Sequence, residues 1–211
     1  MAVFGNLTVQ LDPWQVDYGT ELPLDEAEQP AQDEPRDFNV EIALEDWQPI
    51  RPSDEIRPAK LIFVDGVRRI EARLIIRRQE RLCHGAFGSH AVGAAVVADS
   101  TAVCEAPRIG RLIIVGSGET VAARVPVKSD LVFQPLSTAD TDPDAPLRAL
   151  QESMRREEER KGRDLASTDG ALVIADGPLT FAEPSRAAVL GYIKSYSGCT
   201  CRGSDWTCLL G

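Results

Sequence analysis

The chain has 211 residues, 43% of them hydrophobic and 27% charged, the size and make-up of one globular domain with an attached flexible segment. No apolar run approaches the roughly 18 to 20 residues of a membrane-spanning helix, and Met1 to Asp12 lacks the basic start and apolar stretch of a signal peptide, so a cytoplasmic protein with no membrane attachment is expected. Five irregularly spaced cysteines argue against a disulfide-rich secreted domain, and two histidines, His84 and His90, argue against finger-type zinc sites.

The formal net charge of -10 runs at first sight against a polyanionic partner, because nucleic-acid binding draws on Lys and Arg at phosphates. The charge is unevenly spread. Glu21 to Asp46 holds ten acidic residues against Arg36 alone, so this stretch contributes -9 and the rest of the chain about -1. With Pro23, Pro30 and Pro35 and little apolar period, it reads as a solvated, flexible linker. Its simple role is a solubilising tether; the sharper one is an acidic strip that competes with nucleic acid for a basic groove. The expected organisation is an N-terminal arm over 1–20, an acidic linker or loop over 21–58, a folded core over 59–195 and an irregular tail over 196–211.

Leu7 to Tyr18 alternates loosely around Trp14 and reads as a short edge strand or an arm docked on the body. Leu61-Ile62-Phe63-Val64 is a continuous apolar run of strand length that stops at Asp65-Gly66. Ile70, Ala72, Leu74 and Ile76 then alternate with Arg69, Glu71, Arg73 and Ile75, the period of a strand with one covered face. Gly85 to Val97 and Ala102 to Val115, the latter broken at Pro107, read as further strands whose glycines mark bulges or close backbone approach. From Asp144 the period becomes helical, with Pro146 in the first turn and Leu147, Leu150, Met154, Lys161 and Leu165 along one face, ending near Gly162 to Thr168. Ala171 to Ala175, closed by Asp176-Gly177, is another buried strand, returning to the sheet centre, and Val189 to Lys194 a last one. The expected class is α/β, a mixed sheet with a packed helix.

Two core strands thus run into Asp-Gly, at Asp65-Gly66 and Asp176-Gly177. If they are parallel neighbours, both carboxylates share the sheet edge where ligand crevices form in open α/β sheets; taken singly, each Asp-Gly is also a common turn dipeptide. On the helix, with Leu147 at zero and about 100° per residue, Glu158 falls near ~20° and Glu157 near ~280°, on or beside the apolar stripe, while Glu152 and Glu159 point to solvent. A glutamate facing a sheet needs a partner or a cation, and pairing with Arg155, Arg160 or Lys161 is the structural alternative. Asp65, Asp176 and Glu158 together form an oxygen-rich, hard donor set suited to Mg²⁺ or Mn²⁺, and two such ions can hydrolyse a phosphodiester with a metal-bound water as nucleophile. Arg68, Arg69, Arg73, Arg77, Arg78 and Arg81, close behind Asp65, are candidate phosphate contacts, or simply a solvated face.

Phe63-Val64-Asp65-Gly66, the Met154 to Glu158 helix, Leu172-Val173-Ile174-Ala175-Asp176-Gly177-Pro178-Leu179 and Gly191-Tyr192-Ile193-Lys194, in that order, resemble the NurA-type nucleases over about Lys60 to Lys194. The resemblance implies a ribonuclease H-like core and Mn²⁺- or Mg²⁺-dependent DNA hydrolysis. It further implies work with a HerA-type hexameric translocase in processing DNA ends for repair, with a homodimer possible. It assigns Asp65, Glu158 and Asp176 to the metal-binding positions and places Lys194 where it meets a phosphate. Members of that family continue past the Gly-Tyr-Ile-Lys strand, where this chain has Ser195 to Gly211 with Cys199, Cys201 and Cys208, three soft donors without a fourth at metal-site spacing. The departure motivates a second expectation, a catalytically impaired, shortened nuclease fold acting as a protein-interaction module. A third is action on RNA, since no residue here distinguishes the sugar. His84 and His90, flanking Gly85-Ala86-Phe87-Gly88, read as packed or surface histidines before they read as a base or ligand. Val115-Gly116-Ser117-Gly118-Glu119 reads as a hairpin turn, lacking the lysine of a phosphate loop.

Overall fold

A computed structural model describes residues 8–12, 46, 48, 58–78, 81–118, 120–121, 123–125, 131–176 and 188–192. The acidic stretch apart from Asp46 and Gln48, the end of the N-terminal arm, Lys194 and the cysteine-bearing tail lie outside the described residues. The chain divides into one unit of Met1–Glu21 with Pro58–Tyr192 and another of Leu22–Arg57 with Ile193–Gly211; the sheet and its helix belong to the first.

The centre of this unit is a long antiparallel hairpin of β2 (Lys60–Arg78) and β3 (Arg81–Ala98), paired from Leu61↔Val97 to Arg78↔Arg81. The two strands expected on either side of Asp65-Gly66 are therefore one. Turn chemistry is overridden there by the ladder, in which Gly66 pairs with Val92, and Gly66 is not among the residues with positive φ. β1 (Thr8–Leu11) adds antiparallel to the far half of β2, Thr8↔Arg77 to Leu11↔Leu74. Beyond Pro107, which has no N–H to give a ladder, the expected Ala102–Val115 element is two strands. β4 (Thr101–Cys104) and β5 (Arg108–Val115) both pair antiparallel with β3. β6 (Ala123–Val125) and β7 (Leu131–Ser137) had no clear sequence signal, because β6 spans three residues and β7 carries Pro135 in its interior. β7 runs parallel to β5.

After β7 the helix α1 (Ala145–Ala166) crosses the sheet, with Asp144 as N-cap residue and a proline in its first turn, where the missing N–H costs nothing. Asp144 also accepts from the Arg73 guanidinium at 3.0 Å, which ties the helix start to β2. The chain then returns as β8 (Ala171–Asp176), parallel to β2 at the sheet centre, and β9 (Val189–Tyr192) lies parallel beside β8. The architecture is α/β: a mixed sheet in the order β6-β7-β5-β3-β2-β8-β9 with one helix packed on it. Among the described residues no helix is long and apolar enough to cross a membrane.

Two cores follow from one irregularity. Before the bulge between Ile70 and Ala72, the even residues of β2 face α1, and Ile62 and Val64 bury against Val92, Ala94, Met154 and Val173. The bulge shifts the alternation, so Leu74 and Ile76 bury on the other face with Cys83, Ile113, Val115 and Phe133. Phe87 meets Phe133 edge-on there, ring centroids 4.7 Å apart.

Candidate functional site

The β2–β8 ladder runs Lys60↔Ala171 to Val64↔Ala175, so the next position on each strand is an aspartate, Asp65 beside Asp176. Both are exposed, and both lie at the carboxyl end of β8, where a parallel pair leaves a crevice. Strand alternation directs Val64 and Ala175 under α1 and Asp65 and Asp176 to the opposite face. Tyr192 of β9 is the register partner of Asp176 and is itself exposed.

Glu158 comes from the helix side and reaches this edge at Gly66. A β-carbon at Gly66 would land on Glu158 Oε1, with Glu158 Cδ and Met154 Cγ each 3.0 Å away. The Gly66 N–H donates to Asp65 Oδ1 at 2.8 Å and also to the Glu158 carboxylate. Carboxylates from the two faces of the sheet therefore gather on one amide. The cost appears in Glu158, whose carboxyl is pushed up to about 7, first by burial and then by the negative charges of Asp65 and Asp176; Arg155 and the Gly66 N–H pull the other way.

The neighbouring glutamates have different environments. Glu157 binds Arg108 at 3.2 Å and Arg160 one turn on, and Arg108 extends the cluster to Asp164 at 2.9 Å. Glu152 pairs with Arg156 on the outer surface of the helix; Glu159, expected to point to solvent, is half-buried and pairs with Arg163. Pairing at helical spacing thus accounts for Glu157, and Glu158 is the glutamate turned toward the aspartates. Lys161, on the apolar stripe, is buried and pairs with Glu105 at 3.0 Å.

The arginines behind Asp65 do not form one basic stripe. Arg69 lies on the face of Asp65 and pairs with Glu71 at 3.3 Å; Arg68 lies on the face of Gly66, opposite His90 in the ladder; Arg73 is held by Asp144. His90 is a packed histidine, 8% exposed, with Nε2 3.5 Å from Ser153 Oγ; burial lowers its pKa and Glu157 partly offsets this. His84 accepts from the Gly116 N–H at 2.9 Å through its backbone carbonyl. The expected hairpin over 115–119 does not form: the chain turns through a left-handed Ser117-Gly118 pair, but β6 pairs with β7, which runs parallel to β5, and not with β5. Sequence reasoning missed Gly66 as the seat of the helical carboxylate; Arg155, named there as a partner for the helix glutamates, is the counter-charge of Glu158. The i, i+3 spacing of Arg155 and Glu158 is the signal that pointed to it.

Among the described residues, no three His, Cys, Asp or Glu side chains stand close enough together to hold a metal ion. Asp65, Asp176 and Glu158 sense one another's charge without forming a closed coordination shell. Their donor chemistry nevertheless fits a hard cation: carboxylate oxygen only, with an excess of negative charge that raises one of the three acids. No protein-family model matches the chain, and no curated protein matches it.

Proposed function

We propose that the chain is a metal-dependent DNA nuclease of the NurA type on a ribonuclease H-like core, acting on DNA ends together with a HerA-type translocase. The observation that carries this reading is the Asp65–Asp176 register on parallel neighbours, with Glu158 brought to the same edge through Gly66. It is supported by the order of elements: an antiparallel β2-β3-β5 set, a helix, a strand returning beside β2 and a further parallel strand.

Asp65, Asp176 and Glu158 would hold Mn²⁺ or Mg²⁺, which when bound supplies the charge that activates water and stabilises the leaving oxygen of a phosphodiester. Glu158, whose carboxyl is pushed up to about 7, would have to be ionised to serve as a ligand. Arg69, on the face of Asp65, is a proposed phosphate contact on the substrate side and Arg68 one from the helix side; Lys194, outside the described residues, keeps the phosphate role that its motif implies. The test is Mn²⁺-dependent degradation of single- and double-stranded DNA by the full chain, with RNA in parallel, against Asp65→Ala and Asp176→Ala. Degradation lost in both variants supports the reading, and DNA left equally intact by wild type and variants ends it.

A second reading, a nuclease-like fold serving as an interaction module on a translocase or on its own copy, is favoured by the open donor set. Calorimetry with Mn²⁺ separates the two, because a scaffold binds no ion through Asp65 and Asp176.

A further inference from the structure

We infer that Gly66 is a positioning residue whose missing side chain is the seat of the Glu158 carboxylate, and that metal binding at the Asp65–Asp176 edge depends on it. This deepens the nuclease reading and rests on it. Gly66 sits inside the β2–β3 ladder opposite Val92, and among the described residues Gly118 and Gly170, not Gly66, are the glycines with positive φ, so no turn or backbone strain explains a glycine here. A glycine in mid-strand weakens the strand and marks a close approach. What approaches is a carboxyl group: Oε1 of Glu158 stands within clashing distance of the place a β-carbon would take. The same residue's N–H holds Asp65 Oδ1 at 2.8 Å, so Gly66 fixes one carboxylate by its amide and admits the other by its lack of a side chain.

Gly88 is a matched contrast. It lies on the same face of the sheet, and a β-carbon there would lie 2.7 Å from Leu150 Cδ2, a helix-to-strand contact without a charge. Crowding at Gly88 disturbs packing alone; crowding at Gly66 displaces a carboxylate, the far end of a flexible side chain, with Met154 giving way by a few tenths of an ångström.

The experiment is Mn²⁺ titration calorimetry on the full chain, with thermal unfolding of the metal-free protein alongside, for wild type, Gly66→Ala, Gly88→Ala, Glu158→Gln and the Gly66→Ala/Glu158→Gln pair. Gly66→Ala is expected to weaken Mn²⁺ binding about 10-fold or more, as Glu158→Gln does, and the pair no further than either alone. Gly88→Ala is expected to lower the unfolding temperature and leave Mn²⁺ affinity unchanged. Wild-type affinity in Gly66→Ala, or additive losses in the pair, overturns the inference while Glu158→Gln still upholds the nuclease reading. Should wild type bind no Mn²⁺, the nuclease reading falls and this role of Gly66 with it. A metal-free readout tests the seat directly: the Gly66 amide resonance is expected to move in Glu158→Ala, and an unmoved amide overturns the seat whatever the metal does.

Discussion

Lys161 and Glu105 form an ion pair with unequal halves: the lysine side chain is 5% exposed, the glutamate side chain 39% exposed, and the two meet at 3.0 Å. The helix buries the lysine on the same stripe as Met154, while Glu105 hangs from the short link between β4 and β5, its own N–H bonded to Ala94 O. The asymmetry sets the cost of breaking the pair. Glu105→Ala leaves a buried unpaired cation and is expected to destabilise by about 3 kcal/mol, whereas Lys161→Met leaves a carboxylate that water can reach and is expected to be close to neutral. Urea denaturation of both variants checks the order; equal losses would mean the lysine is solvated in solution.

The electrostatics at Gly66 predict a pH signature. Glu158 is held up to about 7 from an ordinary 4.5, so the folded protein binds more protons than the unfolded chain between these values. Its contribution to stability is fully present below about 4.5 and is lost as pH rises through about 7. Urea midpoints at intervals from pH 4 to 8 are expected to fall across that window in wild type, and Glu158→Gln is expected to flatten the slope there. A slope unchanged by Glu158→Gln would place the titration elsewhere.

Because burial is the larger cause and the two aspartates the smaller ones, Asp65→Asn and Asp176→Asn are each expected to bring the Glu158 carboxyl down only part of the way. Carbon-detected NMR titration of the side chain resolves this. A return to the ordinary carboxylate range in either single variant would reverse the ranking of causes.

Mn²⁺ or Mg²⁺ requires an ionised Glu158, so the rise in unfolding temperature produced by a fixed Mn²⁺ concentration is expected to be greater at pH 8 than at pH 5 and to be lost in Asp65→Ala/Asp176→Ala. Scanning calorimetry with and without the ion reads both effects, and a pH-independent rise would remove Glu158 from the donor set.

Leu150 is fully buried under the helix against Gly88, and Leu150→Ala is expected to cost about 2 to 5 kcal/mol. The loss should appear as a lower urea midpoint at unchanged slope.

Much of this molecule was legible in local pattern. The apolar run at Lys60–Val64, the helical period from Asp144 with its early proline and the buried run at Ala171–Ala175 each signal an element, because burial on one face imposes a period on neighbouring residues. The helical wheel also separated Glu158 from Glu152 and Glu159, since a face of a helix depends on residue spacing alone.

The rest was decided by contacts between residues distant in the chain. Whether Asp65 and Asp176 are neighbours depends on β8 returning parallel to β2 in one register, and a slip of a single residue would have turned one aspartate under the helix. Asp65-Gly66 carries the local signature of a turn, yet the strand runs through it, because the β3 ladder holds the backbone extended and the glycine is needed for what lies above it. Composition and spacing determined that carboxylates stand at the ends of apolar runs; the tertiary fold decided which of them share an edge, since only the pairing of strands and the seating of α1 set the distances over which charges act.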